Sequence, residues 1–157
     1  MRLGLKRQVT LATAIAVLGT TGLAIAAAPE IAAAIAARKA NYKEIGGDMK
    51  TISDEIKTGA PDLASVRPAA RDLVNRASGQ LKYFPAGSGP ESGEKTRAKA
   101  AIWTDYTTFS TAQSDMLIAA KALQIATDGG DLASMTAARN TLGNACKACH
   151  DKFRELE

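Results

Sequence analysis

Histidine is almost missing from this sequence. One residue, His150, stands in a chain of 157, and cysteine is nearly as scarce, with Cys146 and Cys149. A zinc site needs about four ligands drawn from such donors, so these three residues fall short of one. Aromatic residues make up 4% of the chain, while alanine is abundant. That balance disfavours sheets, which draw on aromatic and β-branched residues. It suits helices, where alanine loses no side-chain entropy. A basic patch is also lacking beyond the first residues. Arg2, Lys6 and Arg7 supply part of the positive charge, and without residues 1–26 the net charge falls from +4 to +1. Nothing remains that would hold nucleic acid or a membrane surface. No repeat of solenoid period and no low-complexity tract follows. The length fits one domain.

The first residues read as a secretory signal peptide. A positive start (Arg2, Lys6, Arg7) precedes an uncharged apolar run from Val9 to Ala27, and Ala24 and Ala26 supply an A-x-A cleavage pattern. An uncleaved membrane anchor is the rival, since the run approaches the roughly 20 residues that span a bilayer. Its Ala, Gly and Thr content and the small-residue site that follows favour cleavage after Ala26 or Ala27. The expected division is signal peptide 1–26 and mature domain 27–157. Export places the domain in an oxidising compartment, where two cysteines could simply pair.

Four helical segments are expected. In the first, Glu30 to Lys57, the large positions Ile31, Ile35, Arg38, Tyr42, Ile45, Met49, Ile52 and Ile56 recur every three or four residues. That is the seam of a bundle helix, and no strand produces it. Gly46 and Gly47 interrupt it at about 1 kcal/mol each relative to Ala, and paired glycines can mark close approach by a neighbour or ligand. The second segment, Leu63 to Phe84, carries a stripe of Leu63, Val66, Ala70, Leu73, Ala77, Leu81 and Phe84; Pro68 is tolerable if the helix starts near Ser65. A Gly, Ser and Pro loop runs from Pro85 to Gly93. The third, Glu94 to Thr127, repeats Ile102, Tyr106, Phe109, Met116, Ala120 and Leu123, with Trp103 beside the stripe. The fourth has Asp131 as N-cap and carries Leu132, Met135, Leu142, Cys146, Cys149, Phe153 and Leu156 to the chain end. Short connections between four amphipathic helices predict an all-α, antiparallel four-helix bundle.

The chemistry-bearing motif is Cys146-Lys147-Ala148-Cys149-His150, a C-x-x-C-H. At about 100° per residue, Cys149 and His150 share the helix side of Cys146, one turn along. Two thiols so placed can bond the two vinyl groups of one haem, and the adjacent imidazole can reach its iron. A disulfide, a redox pair and half a zinc site are the competing readings. A redox pair belongs at the start of a helix in a βαβ setting, and a disulfide closing so short a loop adds little. With one histidine in the chain, the iron's other side is left to a methionine (Met49, Met116 or Met135), another donor, or nothing. Core packing is an equally good use of those methionines.

The run Cys146 to Arg154, C-K-A-C-H-D-x-[FY]-R on the last helix of a bundle, resembles the class II c-type cytochromes, and cytochrome c prime most closely. Most c-type cytochromes carry the motif near the N-terminus, so its C-terminal place is discriminating. Arg38-Lys39-Ala40 with a large residue at 42, Ile102-Trp103-Thr104-Asp105 and Gly130-Asp131-Leu132 support the likeness. The resemblance implies haem c held by Cys146 and Cys149, with His150 as the proximal ligand. It places Arg154 near the proximal haem face and Arg38 near a haem propionate, where a guanidinium can fork onto a carboxylate. Snorkelling to water is the plainer use of Arg38. Tyr42 stands where low-spin relatives place a ligating methionine and where cytochrome c prime places an apolar or aromatic cover. A neutral phenol is a poor iron ligand, although tyrosinate binds haem iron in catalases.

The expectation is a periplasmic haem protein with five-coordinate high-spin iron. It binds small diatomic gases such as nitric oxide and carbon monoxide, passes single electrons to an unidentified partner, or does both. The resemblance also implies a homodimer. One rival is a low-spin electron carrier ligated by Met49, which lies two turns from Tyr42, roughly 10 Å along the axis. Another is a haem-free bundle with a disulfide. A peroxidase is disfavoured, because no acid–base pair accompanies the single histidine.

Overall fold

The structure, a computed structural model, describes residues 28–156; the signal peptide expected at 1–26 lies outside them. The main elements are α1 (Pro29–Lys57), α2 (Leu63–Ala77), a short α3 (Ala101–Thr104), α4 (Tyr106–Gly129) and α5 (Leu132–Phe153), with 3₁₀ turns at Gln80–Tyr83 and Pro90–Ser92. The helices α1, α2, α4 and α5 form the four-helix bundle. Every seam position of α1 is buried or half-buried, Arg38 included. Gly46 and Gly47 remain helical, and a Cβ at either would meet no neighbour within 4 Å. No protein neighbour among the described residues therefore requires them, and Gly46 lines the cavity described below. Asp131 caps α5 as expected, its carboxylate accepting from the Ser134 amide at 2.8 Å.

The segment between α2 and α4 departs from the periodic reading. Helix α2 stops at Ala77 instead of Phe84, because Ser78 turns extended and Gly79 adopts φ +71°. Leu81, expected on the stripe, is then exposed. The start of α2 at Leu63 is the one expected, earlier than the Ser65 start that would bring Pro68 into the first turn. Asp62 caps it, so Pro68 lies beyond the first turn, on an exposed face where water can satisfy the carbonyl that its ring leaves unbonded. Residues 94–100, expected to be helical, are not, and 97–99 instead pair with the end of α5 and the chain leaving it. Lys99 N donates to Phe153 O at 3.0 Å and Glu155 N to Arg97 O at 2.8 Å, so tertiary pairing takes the hydrogen bonds that a helix would have used. Asp105 breaks the third segment into α3 and α4. Tyr106 is exposed, and Leu156 lies past the end of α5 with 89% of its surface free.

Two glycine substitutions should move stability in opposite directions. Gly79→Ala puts a Cβ into the left-handed region and is expected to cost about 1 kcal/mol. Gly47→Ala, in an exposed helix interior, should stabilise by up to about 1 kcal/mol. Urea midpoints measured on the two variants would check both signs.

Candidate functional site

Helix α1 packs extensively on α2, α2 on α4 and α4 on α5, but α1 meets α5 far less. A cavity of about 560 Å³ opens between these two helices, walled also by α4 and the segment before it, within the usual range of cofactor sites. All six residues singled out from the sequence line it: Arg38, Tyr42, Cys146, Cys149, His150 and Arg154. Met49 lines it as well, whereas Met135 is fully buried in the core. A smaller hollow of about 300 Å³ beside Asn41, Asp72 and Arg76 is polar and holds none of these residues.

On α5, Cys146 and Cys149 are half-buried and packed against apolar side chains. Burial pushes the Cys146 thiol up. Burial, then the neighbouring Cys146, pushes Cys149 up to about 11. A redox pair needs a stabilised thiolate, and this environment does the opposite. His150 is shifted the other way. Desolvation, then the charges of Arg154 and Arg97, lower its pKa and favour the neutral imidazole that binds metals. Arg154 Nη1 lies 3.5 Å from His150 Nδ1, at the outer limit of a hydrogen bond. Among the described residues, no cluster of three or more His, Cys, Asp or Glu side chains could hold a bare ion.

On α1, Tyr42 is half-buried, its ring edge-on to Phe84 at 6.4 Å. Burial is the main reason its phenol is held well above the ordinary range, so the neutral form prevails. Its hydroxyl meets the amide of Gln113 on α4, with Gln113 Nε2 at 3.0 Å and Oε1 at 3.3 Å. Gln113 is buried and lines the cavity. Sequence reasoning missed it, although a signal was available. The α4 stripe jumps from Phe109 to Met116, and 113 is the polar residue standing in that gap. Met49 points its terminal methyl across to α5, 3.9 Å from where a Cβ on Gly143 would lie.

Arg38 does not snorkel. Only 5% of it is exposed, and its guanidinium donates to Tyr83 O, Ser88 Oγ, Ser88 O and Thr96 Oγ1 at 2.8–3.3 Å. It also sits 4.8 Å from the centre of the Phe84 ring. All four acceptors are neutral. The charge is thus buried without a carboxylate among these hydrogen-bond partners, which is costly unless an anion arrives. Lys39, Lys43, Arg97 and Arg154 complete a cationic rim on the cavity, and no carboxylate among the described residues lines it. An apolar cavity bearing two thiols and an imidazole, with a cationic rim, fits a flat apolar macrocycle carrying two carboxylates.

A sequence profile of the family described as Cytochrome C′ matches residues 33–154. The chain belongs to the cytochrome c′ family. It is 36% identical over 150 residues to a cytochrome c′ of Rhodospirillum rubrum, covering 94% of this chain and 98% of that one. The crystal structure of cytochrome c′ from Rubrivivax gelatinosus superposes with a TM-score of 0.73 at 29% identity, over 80% of this chain and 97% of that one. A nitric oxide complex of a cytochrome c prime variant from Alcaligenes xylosoxidans is similar at a TM-score of 0.73 and 26% identity, over 81% and 97%. Cytochromes c′ are c-type haem proteins with one haem per chain, and haem c is the cofactor here. The haem-free disulfide bundle is thereby set aside.

Proposed function

We propose that this cytochrome c′ family member is a periplasmic gas-binding haem protein, with Tyr42 covering an open axial position. Cys146 and Cys149 hold the haem through thioether bonds, and the neutral imidazole of His150 is the protein's ligand to iron. Arg38 and the cationic rim take the propionates, and Arg154 flanks the ligand histidine. The observation that carries this reading is the Tyr42 phenol, kept neutral by burial and bonded to Gln113 on the cavity wall. It shields the site without supplying a ligand strong enough to close it. When bound, the haem supplies one-electron exchange and an axial position for a diatomic gas. The nitric oxide complex of the Alcaligenes relative supports the choice of ligand.

No helix among the described residues is long and apolar enough to cross a membrane. Residues 27–157 form the mature domain in this reading, exported on the signal peptide 1–26. Single-electron transfer to a redox partner is compatible with the same site, and enzymatic turnover is not expected. The protein is a homodimer in this reading, and a monomeric mass by light scattering at micromolar concentration would remove that part.

The second reading rests on Met49, which shares the cavity. A thioether bound to the iron would give a low-spin electron carrier. Optical spectra of the mature protein, oxidised, reduced, and reduced with carbon monoxide, separate the two. A high-spin spectrum that shifts with carbon monoxide is the expected result. A low-spin spectrum indifferent to the gas would transfer the assignment to Met49.

A further inference from the structure

We infer that Gln113 is a positioning residue that turns the Tyr42 hydroxyl into a hydrogen-bond donor toward a diatomic ligand. This rests on the gas-binding reading above. The two side chains come from different helices, α1 and α4, and both line the cavity. Gln113 is 6% exposed, so its amide needs a partner within the protein. The shorter of its two contacts with Tyr42 is the one in which the amide donates, Nε2 to Oη at 3.0 Å, against 3.3 Å for the contact in which Oε1 accepts. A hydroxyl that accepts through a lone pair keeps its own proton free. Phe84 and Phe109, which pack on this side of the cavity, offer that proton no acceptor, so its competing partner in the pair is Gln113 Oε1 at 3.3 Å. The outer atom of a small ligand can take the proton from that longer contact. Ligands with negative charge on that atom gain most, because a hydrogen bond to a charged acceptor is about twice as strong as a neutral one. The pair would favour nitric oxide, when it binds with charge on its oxygen, over carbon monoxide.

The test uses the mature protein with its haem, in the variants Gln113→Met, Tyr42→Phe and the double substitution. Both single substitutions nearly preserve shape. The readouts are the infrared C–O stretch of the reduced protein with carbon monoxide and the rate of nitric oxide release. A donor hydrogen bond weakens the C–O bond, so both single variants should raise the stretching frequency. Both should also speed nitric oxide release, by about fivefold for the loss of one ordinary hydrogen bond. Adding Gln113→Met to Tyr42→Phe should change neither readout. A Gln113→Met effect that persists undiminished in the Tyr42→Phe background would overturn the assignment, as would a single variant with an unshifted stretch. A wild-type protein that binds no carbon monoxide would overturn the gas-binding reading and this inference together. Normal gas binding that is blind to Gln113 overturns the inference alone.

Discussion

Replacing Cys146 and Cys149 together by alanine is expected to leave the protein with no haem after denaturing electrophoresis, whereas the parent chain keeps its stain. Thioether bonds survive denaturation, and axial coordination by a histidine does not. The loss should also weaken the fold. The cavity between α1 and α5 measures about 560 Å³ and is lined by Phe84, Ile102, Phe109, Met116 and Phe153. An unfilled space of that kind leaves its lining without packing partners, and a cofactor bound to the native state stabilises it by mass action. The double variant should therefore melt well below the parent. Single substitutions should retain haem through one bond, with lower yield. Full staining of the double variant would show that these thiols are not the attachment points.

Arg38→Ala should be the most damaging single change outside the haem attachment. It removes four hydrogen bonds and the cation over Phe84. It also strips a partner from Ser88, which is fully buried. Its hydrogen-bond partners are neutral, and a buried acceptor left unpaired costs about 1–3 kcal/mol. The damage should centre on residues 83–96, because every one of those acceptors lies there. Urea unfolding would give the magnitude, and hydrogen exchange would give the place. Arg38→Lys should recover the charge but not the fork, and so only part of the stability. A loss under about 1 kcal/mol would show that the loop holds without this clamp.

Arg38 shows how far a sequence can be read. Its place on the α1 seam was legible from spacing, and so was the oddity of a charge there. The partner that the resemblance implied was a propionate, and the cavity-lining position keeps that role open. The four acceptors on the 83–96 loop were not legible. They are 45 to 58 residues away, and the loop conformation that gathers them has no periodic signature. Gln113 was overlooked for a related reason. A polar residue on a helical stripe reads as a gap until its partner on another helix is known.

Residues 78–100 illustrate the same limit from the backbone. Helical spacing carried both neighbouring segments into this stretch, yet Gly79 at positive φ and the pairing of Arg97 and Lys99 with the end of α5 overrode it. Local preference is worth tenths of a kcal/mol per residue, so a pair of backbone hydrogen bonds and the burial of Phe84 and Ser88 outweigh it.

The sequence by itself determined the helical class, the seam of α1, the cap and start of α5, and the grouping of Cys146, Cys149 and His150 on one helix side. These depend on neighbours three or four residues apart, which the order of residues specifies directly. The tertiary structure alone decided that α1 and α5 pack sparsely on each other, that the space between them is apolar with a cationic rim, and that Tyr42 faces Gln113 within it. Those features depend on how four helices settle against one another. That balance of long-range packing is not written in any local stretch of the chain.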